Sequence, residues 1–176
     1  MTEAEWLLAV DPEPMLEHLR GHRPSRLFRL FATSCCRRIW SHLSDDCRNS
    51  VELAERFADD LTSDMERMAA REAVHKCCIY VDGESMAEDR LHGFASEAVL
   101  NTLFGDDDYP PIPTYATTCA IAAARASVEV IGAVAEIAAS TDSESAFFAA
   151  CDAEAAAQAA LVRTMFGNPF TSTVEG

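Results

Sequence analysis

The chain has 176 residues, 49% of them hydrophobic, with 29 acidic and 14 basic side chains and a formal net charge of −15. That length suits one domain with its own buried core, and that charge argues against nucleic acid or an anionic lipid surface as partner. With 7 Gly, 7 Pro, abundant Ala and Leu and no β-branched alternation, the composition predicts helix throughout.

The acidic excess is C-terminal. Residues 1–81 carry 14 acidic and 11 basic side chains, residues 82–176 carry 15 and 3. Seven cysteines, an odd number beside an acidic MTEAEW start, predict reduced, mostly buried thiols in a cytoplasmic protein. No run approaches the roughly 18 uncharged apolar residues needed to cross a bilayer.

In chain order, Thr2 and Glu5 have capping-box spacing ahead of Trp6, Leu7, Leu8 and Val10, so a short helix is predicted over 3–10. Asp11 caps a second helix with Pro12 in its first turn, Met15, Leu16 and Leu19 on its apolar side and Gly21 at its end. From Pro24 and Ser25 starts the helix that organises the chain, RLFRLFATSCCRRIWSHL over 26–43. Its Phe28, Phe31, Ala32, Cys35, Ile39 and Leu43 share one side and Arg26, Arg29, Thr33 and Arg37 the other. Trp6 and Trp40 sit at the edges of their apolar faces and are expected to join the first helix to this one.

Ser44 to Asp46 open a helix carrying Val51, Ala54, Phe57, Ala58 and Leu61. The Ser63/Glu66 capping box opens another, carrying Met65, Met68, Ala69, Val74, Cys77, Cys78 and Tyr80 and stopped by Asp82-Gly83. The two are expected to pair as a hairpin. Over 84–104 the pattern weakens at Gly93 and reads as two short helices, and GDDDYPPIPT, 105–114, is a loop. An Ala-rich helix over 114–140 contains Gly132, which is expected to bend it slightly. A third capping box, Thr141/Glu144, starts the last helix, stopped by Gly167-Asn168-Pro169. Residues 1–170 thus form one α-helical domain of about six to eight mostly antiparallel helices, and 171–176 a tail.

The sharpest charge anomaly is Arg20, Arg23, Arg26, Arg29, Arg37 and Arg38, six arginines and His22 with no acidic residue among them. They either bind an anion or a partner, or pair with the surplus carboxylates of the same fold. Cys35-Cys36 and Cys77-Cys78 are vicinal; adjacent helical side chains diverge by about 100°, so neither pair chelates one metal or closes a disulfide. Glu72-x-x-His75 and Asp89-x-x-His92 place a carboxylate and an imidazole on one helix face, as di-iron bundles do, with Glu52, Glu55, Glu129 or Glu136 to complete a site for iron, manganese or zinc. His18 and His22 have i, i+4 spacing but Gly21 lies between them. Cys47, beside Arg48, is the most reactive-looking thiol, opposed by Asp45 and Asp46. There is no Gly-rich phosphate loop, G-x-S-x-G or H-E-x-x-H.

MTEAEWLLAVDPEPML, LFATSCCRRIW and LVRTMFGNPF together resemble a family of bacterial proteins, abundant in planctomycetes, whose function is unassigned. The resemblance implies no reaction and no catalytic residues. Family members often continue past FGNPF, which implies a shortened member here.

These readings predict a non-enzymatic helical interaction or scaffold module that needs no cofactor, with a protein partner or a second copy docking on the arginine surface, the acidic half or the proline loop. The alternatives are a metal-dependent helical-bundle enzyme using Glu72, His75, Asp89 and His92, and an acidic mimic of nucleic acid.

Overall fold

The computed structural model describes residues 1–79, 86–105, 115–139 and 141–171. Among them the protein is all-α: α1 (Glu3–Leu8), α2 (Pro12–Leu19), α3 (Ser25–Arg38), a 3-10 turn (Trp40–His42), α4 (Asp45–Ala58), α5 (Asp64–Ile79), α6 (Met86–Thr102), α7 (Tyr115–Ala138) and α8 (Ser143–Phe166). The Asp82-Gly83 stop, Tyr80, the loop over 106–114, the tail over 172–176 and the side chains of Cys77 and Cys78 lie outside the described residues.

Local sequence rules explain most helix starts. Thr2 and Glu5 form the reciprocal capping box, Asp11 accepts from the Glu13 N–H at 2.9 Å, Ser44 from Cys47 N–H, and Ser63 exchanges hydrogen bonds with Glu66. At α8 the rule fails. The helix begins one residue later than Thr141 would set it, with Asp142 in left-handed backbone (φ 55°) and no side-chain cap. Asp is among the few non-glycine residues that tolerate this conformation, and the tight reversal after α7 demands it.

The organising helix is shorter than its apolar pattern: α3 stops at Arg38 and the 3-10 turn follows. All six residues assigned to its core face are buried, and so are Thr33 and Cys36. Thr33 leaves the solvent side assigned to it because its hydroxyl returns a hydrogen bond to the Leu30 carbonyl, which lets it be buried without an orphaned donor. α6 is one continuous helix through Gly93, correcting the expected break. A mid-helix glycine costs only about 1 kcal/mol, and buried Ala95, Ala98, Val99 and Leu103 offset it.

α7 shares the centre with α3 and packs on α2, α3, α6 and α8. Its mean hydropathy over 18 residues is 1.5, so it is long and apolar enough by composition to cross a membrane, which the sequence reading overlooked. Here it is a core helix, with buried Ala116, Ala120, Ala123, Ala124, Ala126 and Ala133 letting neighbours approach closely. Gly132 serves that approach: a Cβ there would lie 2.6 Å from Cys151 Sγ and 2.7 Å from the Phe147 ring on α8.

Two hydrophobic clusters result. The first gathers Trp6, Met15, Leu16, Leu19, Phe28, Phe31 and Phe166 with the N-terminal half of α7. The second gathers Cys36, Ile39, Val51, Val74, Val99 and Leu103 with the following turns of α7. Trp6 brings α1 into the first, beside Phe28 and Phe31 of α3, whereas Trp40 packs on the second, so the two indoles do not meet. The two ends of the described chain meet at the first: Arg163 donates to the carbonyls of Trp6 (3.0 Å) and Ala9, Asn168 to Glu3 (2.8 Å), and His18 stacks on Phe170 at 5.1 Å.

Candidate functional site

The arginine run is spent largely inside the molecule. Arg20 is held by Glu17 and also donates to Thr118, and Arg26 meets Asp59 on α4 at 2.7 Å. Arg37 forks onto Glu55 at 2.8 and 2.7 Å while its guanidinium lies 4.1 Å from the Trp40 ring centroid, with Arg48 toward the same ring. Arg29 stacks over Phe57 and Arg23 reaches the Phe166 carbonyl. Arg38 makes the least solvated pair, forking onto Glu154 at 2.6 and 2.9 Å; Glu154 is only 6% exposed. Carboxylate hydrogen bonds hold the Arg20, Arg37 and Arg38 guanidiniums above their ordinary pKa.

The metal candidates are not brought together. Glu72 and His75 are exposed on α5 and Asp89 and His92 on α6, with Glu72 3.5 Å from Lys76. Glu55 and Glu136, two carboxylates expected to complete the set, are engaged by Arg37 and Arg90. Among the described residues no group of three or more His, Cys, Asp or Glu is placed to hold a metal ion. Cys35, Cys36 and Cys47 are buried, and desolvation pushes the Cys35 and Cys36 thiols well above their usual pKa.

What the fold does build is an acidic trough on α1 and α2. A groove of about 980 Å³ is lined by Met1, Glu5, Ala9, Asp11, Glu13, Pro14, Glu17 and His18, and the N-terminal ammonium acts on Glu5 and His18 within it. The reason is local: Glu5 lies in the first turn of α1 and Asp11 and Glu13 at the start of α2, where the helix dipole favours carboxylates, and the short link through Ala9 and Val10 keeps the two helices close. Thr2 hydrogen bonds hold the Glu5 carboxyl below the usual range, and the Arg20 hydrogen bond does so for Glu17. Desolvation, with the N-terminal ammonium and His22, lowers the His18 pKa. On the same stretch of chain, Leu7, Leu8 and Val10 are 56, 80 and 66% exposed.

No protein-family model, no curated protein and no solved structure matches this chain.

A second recess of about 370 Å³ continues from the groove between α2, α7 and α8; Asp11 and Glu13 line both, and Arg125, Glu129, Ala124 and Gln158 complete it. Arg125 closes on Glu13 across 112 residues of sequence, Nε to Oε2 at 2.8 Å. Gln158 is fully buried. Its Nε2 donates to the Ala124 carbonyl and to Glu154 Oε1, both at 3.2 Å.

Sequence reasoning missed Gln158, Glu154 and Arg67. Arg67 is 4% exposed and donates to the Leu103 carbonyl at 2.8 Å and to Asp64, its guanidinium 5.0 Å from the Phe57 ring centroid. It takes the inward position expected of Met65 and Met68, which are 82 and 56% exposed, and Leu61 is 70% exposed. Arg67, Ala70 and Val74, at i, i+3 and i+7, are the packing face of α5. An arginine stem covers apolar surface as well as a methionine does, and its head caps the last carbonyls of α6, which a thioether cannot.

Proposed function

We propose that this protein is a non-enzymatic helical interaction module whose α1–α2 groove receives a lysine- and arginine-rich amphipathic segment of a protein partner. The observation that carries this reading is the groove itself, a concave strip lined by four carboxylates on a segment of chain that also exposes Leu7, Leu8 and Val10. A positively charged helix laid there places its basic residues against Glu5 and Asp11, and against Glu13 and Glu17 in place of Arg125 and Arg20, with its apolar residues against Leu7, Leu8 and Val10. The arginine run supports this choice of surface, because Arg26, Arg37 and Arg38 are taken up holding α3 to α4 and α8, and Arg20 pairs with Glu17, through carboxylates of the same chain.

Fluorescence anisotropy with a dye-labelled amphipathic Lys/Leu helix tests it. Binding is expected that weakens with added salt and falls about tenfold when Glu5→Gln and Glu17→Gln are combined, with a further loss for Leu8→Ser. An equal charge removal at the far end of the molecule, Asp142→Asn with Glu144→Gln, is the control. Equal losses from both double variants, or no saturable binding, overturn the reading.

A further inference from the structure

We propose that the recess between α2, α7 and α8 is a binding site for a primary alkylammonium group, with Gln158 Oε1 as its hydrogen-bond acceptor and Glu129 and Asp11 as its counter-charges. This goes beyond the groove and does not rest on a peptide occupying it.

The orientation of the Gln158 amide is dictated by chemistry. Its two neighbours, the Ala124 carbonyl and the Glu154 carboxylate, are both acceptors, so the NH₂ must face them. Glu154 is itself pinned by the Arg38 fork, so the amide is held from two sides. The oxygen is then the branch left over. It is buried, no protein group among the described residues donates to it, and Gln158 lines the recess. A desolvated acceptor without a donor costs about 1–3 kcal/mol, so the position selects a ligand that brings an N–H or O–H.

Charge narrows the choice to a cation. Asp11, Glu13 and Glu129 contribute three negative charges and Arg125, paired with Glu13, one positive, so the lining has two net negative charges. An ammonium supplies both the donors and the positive charge. Ala124, Ile121, Val128 and Ala155 in the same wall give an alkyl stem apolar contact. A carboxylate brings the wrong charge and an alcohol brings a donor without the charge.

The experiment is a titration of the full chain, followed by the NMR resonances of the Gln158 side-chain amide, with n-butylammonium chloride and separately with Nα-acetyl-lysine amide, against n-butanol and sodium chloride. Saturable shifts are expected with at least one of the two amines, at millimolar Kd for a ligand of so few atoms, and none with n-butanol or sodium chloride. Binding of butylammonium alone identifies a free amine as the source, and binding of the lysine amide identifies a lysyl side chain. Glu129→Gln and, separately, Gln158→Met are expected to weaken binding about tenfold or more. Glu129 is half-buried at the recess wall, so it keeps the test valid if Gln158→Met fails to fold. Absence of saturation with both amines, equal binding of n-butanol, or unchanged affinity in Glu129→Gln overturns the site. The groove is judged separately, since Glu5→Gln with Glu17→Gln leaves this recess intact.

Discussion

The two hydrophobic clusters share α3 and α7 but are held in different ways. The first is aromatic and is assembled from sequence-distant pieces, with Trp6, Phe28, Phe31 and Phe166 in contact and Arg163 tying the last helix to backbone carbonyls near the first. The second is aliphatic, built from consecutive helices, and closed by Arg67 stacked on Phe57 and bound to the end of α6. The same guanidinium chemistry appears in both: where helices end against apolar neighbours, an arginine stem is buried and its head occupies the orphaned carbonyls.

The largest expected effect comes from opening the first cluster. Phe31→Ala should cost about 3–5 kcal/mol by chemical denaturation and Leu103→Ala in the second about 2–5 kcal/mol, both side chains being fully buried. Since α3 and α7 run through both, each variant should shift a single common transition. Two separated transitions would show that the clusters unfold independently.

Next is the Arg38 pair. Arg38→Met leaves Glu154 buried and uncompensated and should cost about 2–3 kcal/mol, whereas Arg26→Met, in a pair 54 and 42% exposed, should cost under about 1 kcal/mol. Equal losses would mean that burial of the partner does not set the value of these forks. Gly132→Ala forces a methyl into Cys151 and Phe147 and is expected to cost about 1–3 kcal/mol, read as a lowered Tm.

The smallest effect is a pH dependence confined to the first cluster. His18 is depressed in the folded chain by desolvation, so the unfolded chain binds the proton more tightly. Its contribution is therefore complete above the ordinary histidine value and is lost as pH falls through the lower folded value. Tm should fall between about pH 7 and pH 5, and His18→Gln should flatten that slope. A slope unchanged in the variant would assign it to another group.

Helix class and most helix starts were legible because caps and apolar spacing act within a turn or two: Thr2, Asp11, Ser44 and Ser63 each do what their neighbours demand. The rotation of α5 was not, because Met65, Met68 and Arg67 differ in hydrophobicity in the opposite sense to their burial. What places Arg67 inside is a carbonyl 36 residues away. The arginine run was legible as an anomaly, but its partners were not. Arg38 and Glu154 are 116 residues apart, and no local spacing encodes that pairing. Gln158 gave no signal at all, since its meaning depends on which acceptors α7 and α8 bring beside it.

The ties from Arg163 to Trp6 and Ala9, and from Asn168 to Glu3, also set an order in time. During synthesis the opening helices emerge early yet meet their permanent neighbours only after some 150 further residues have been made, so until then Trp6, Leu16 and Leu19 face water or a chaperone. Resistance to proteolysis during refolding is therefore expected to appear only when residues 163–168 dock on the opening helices.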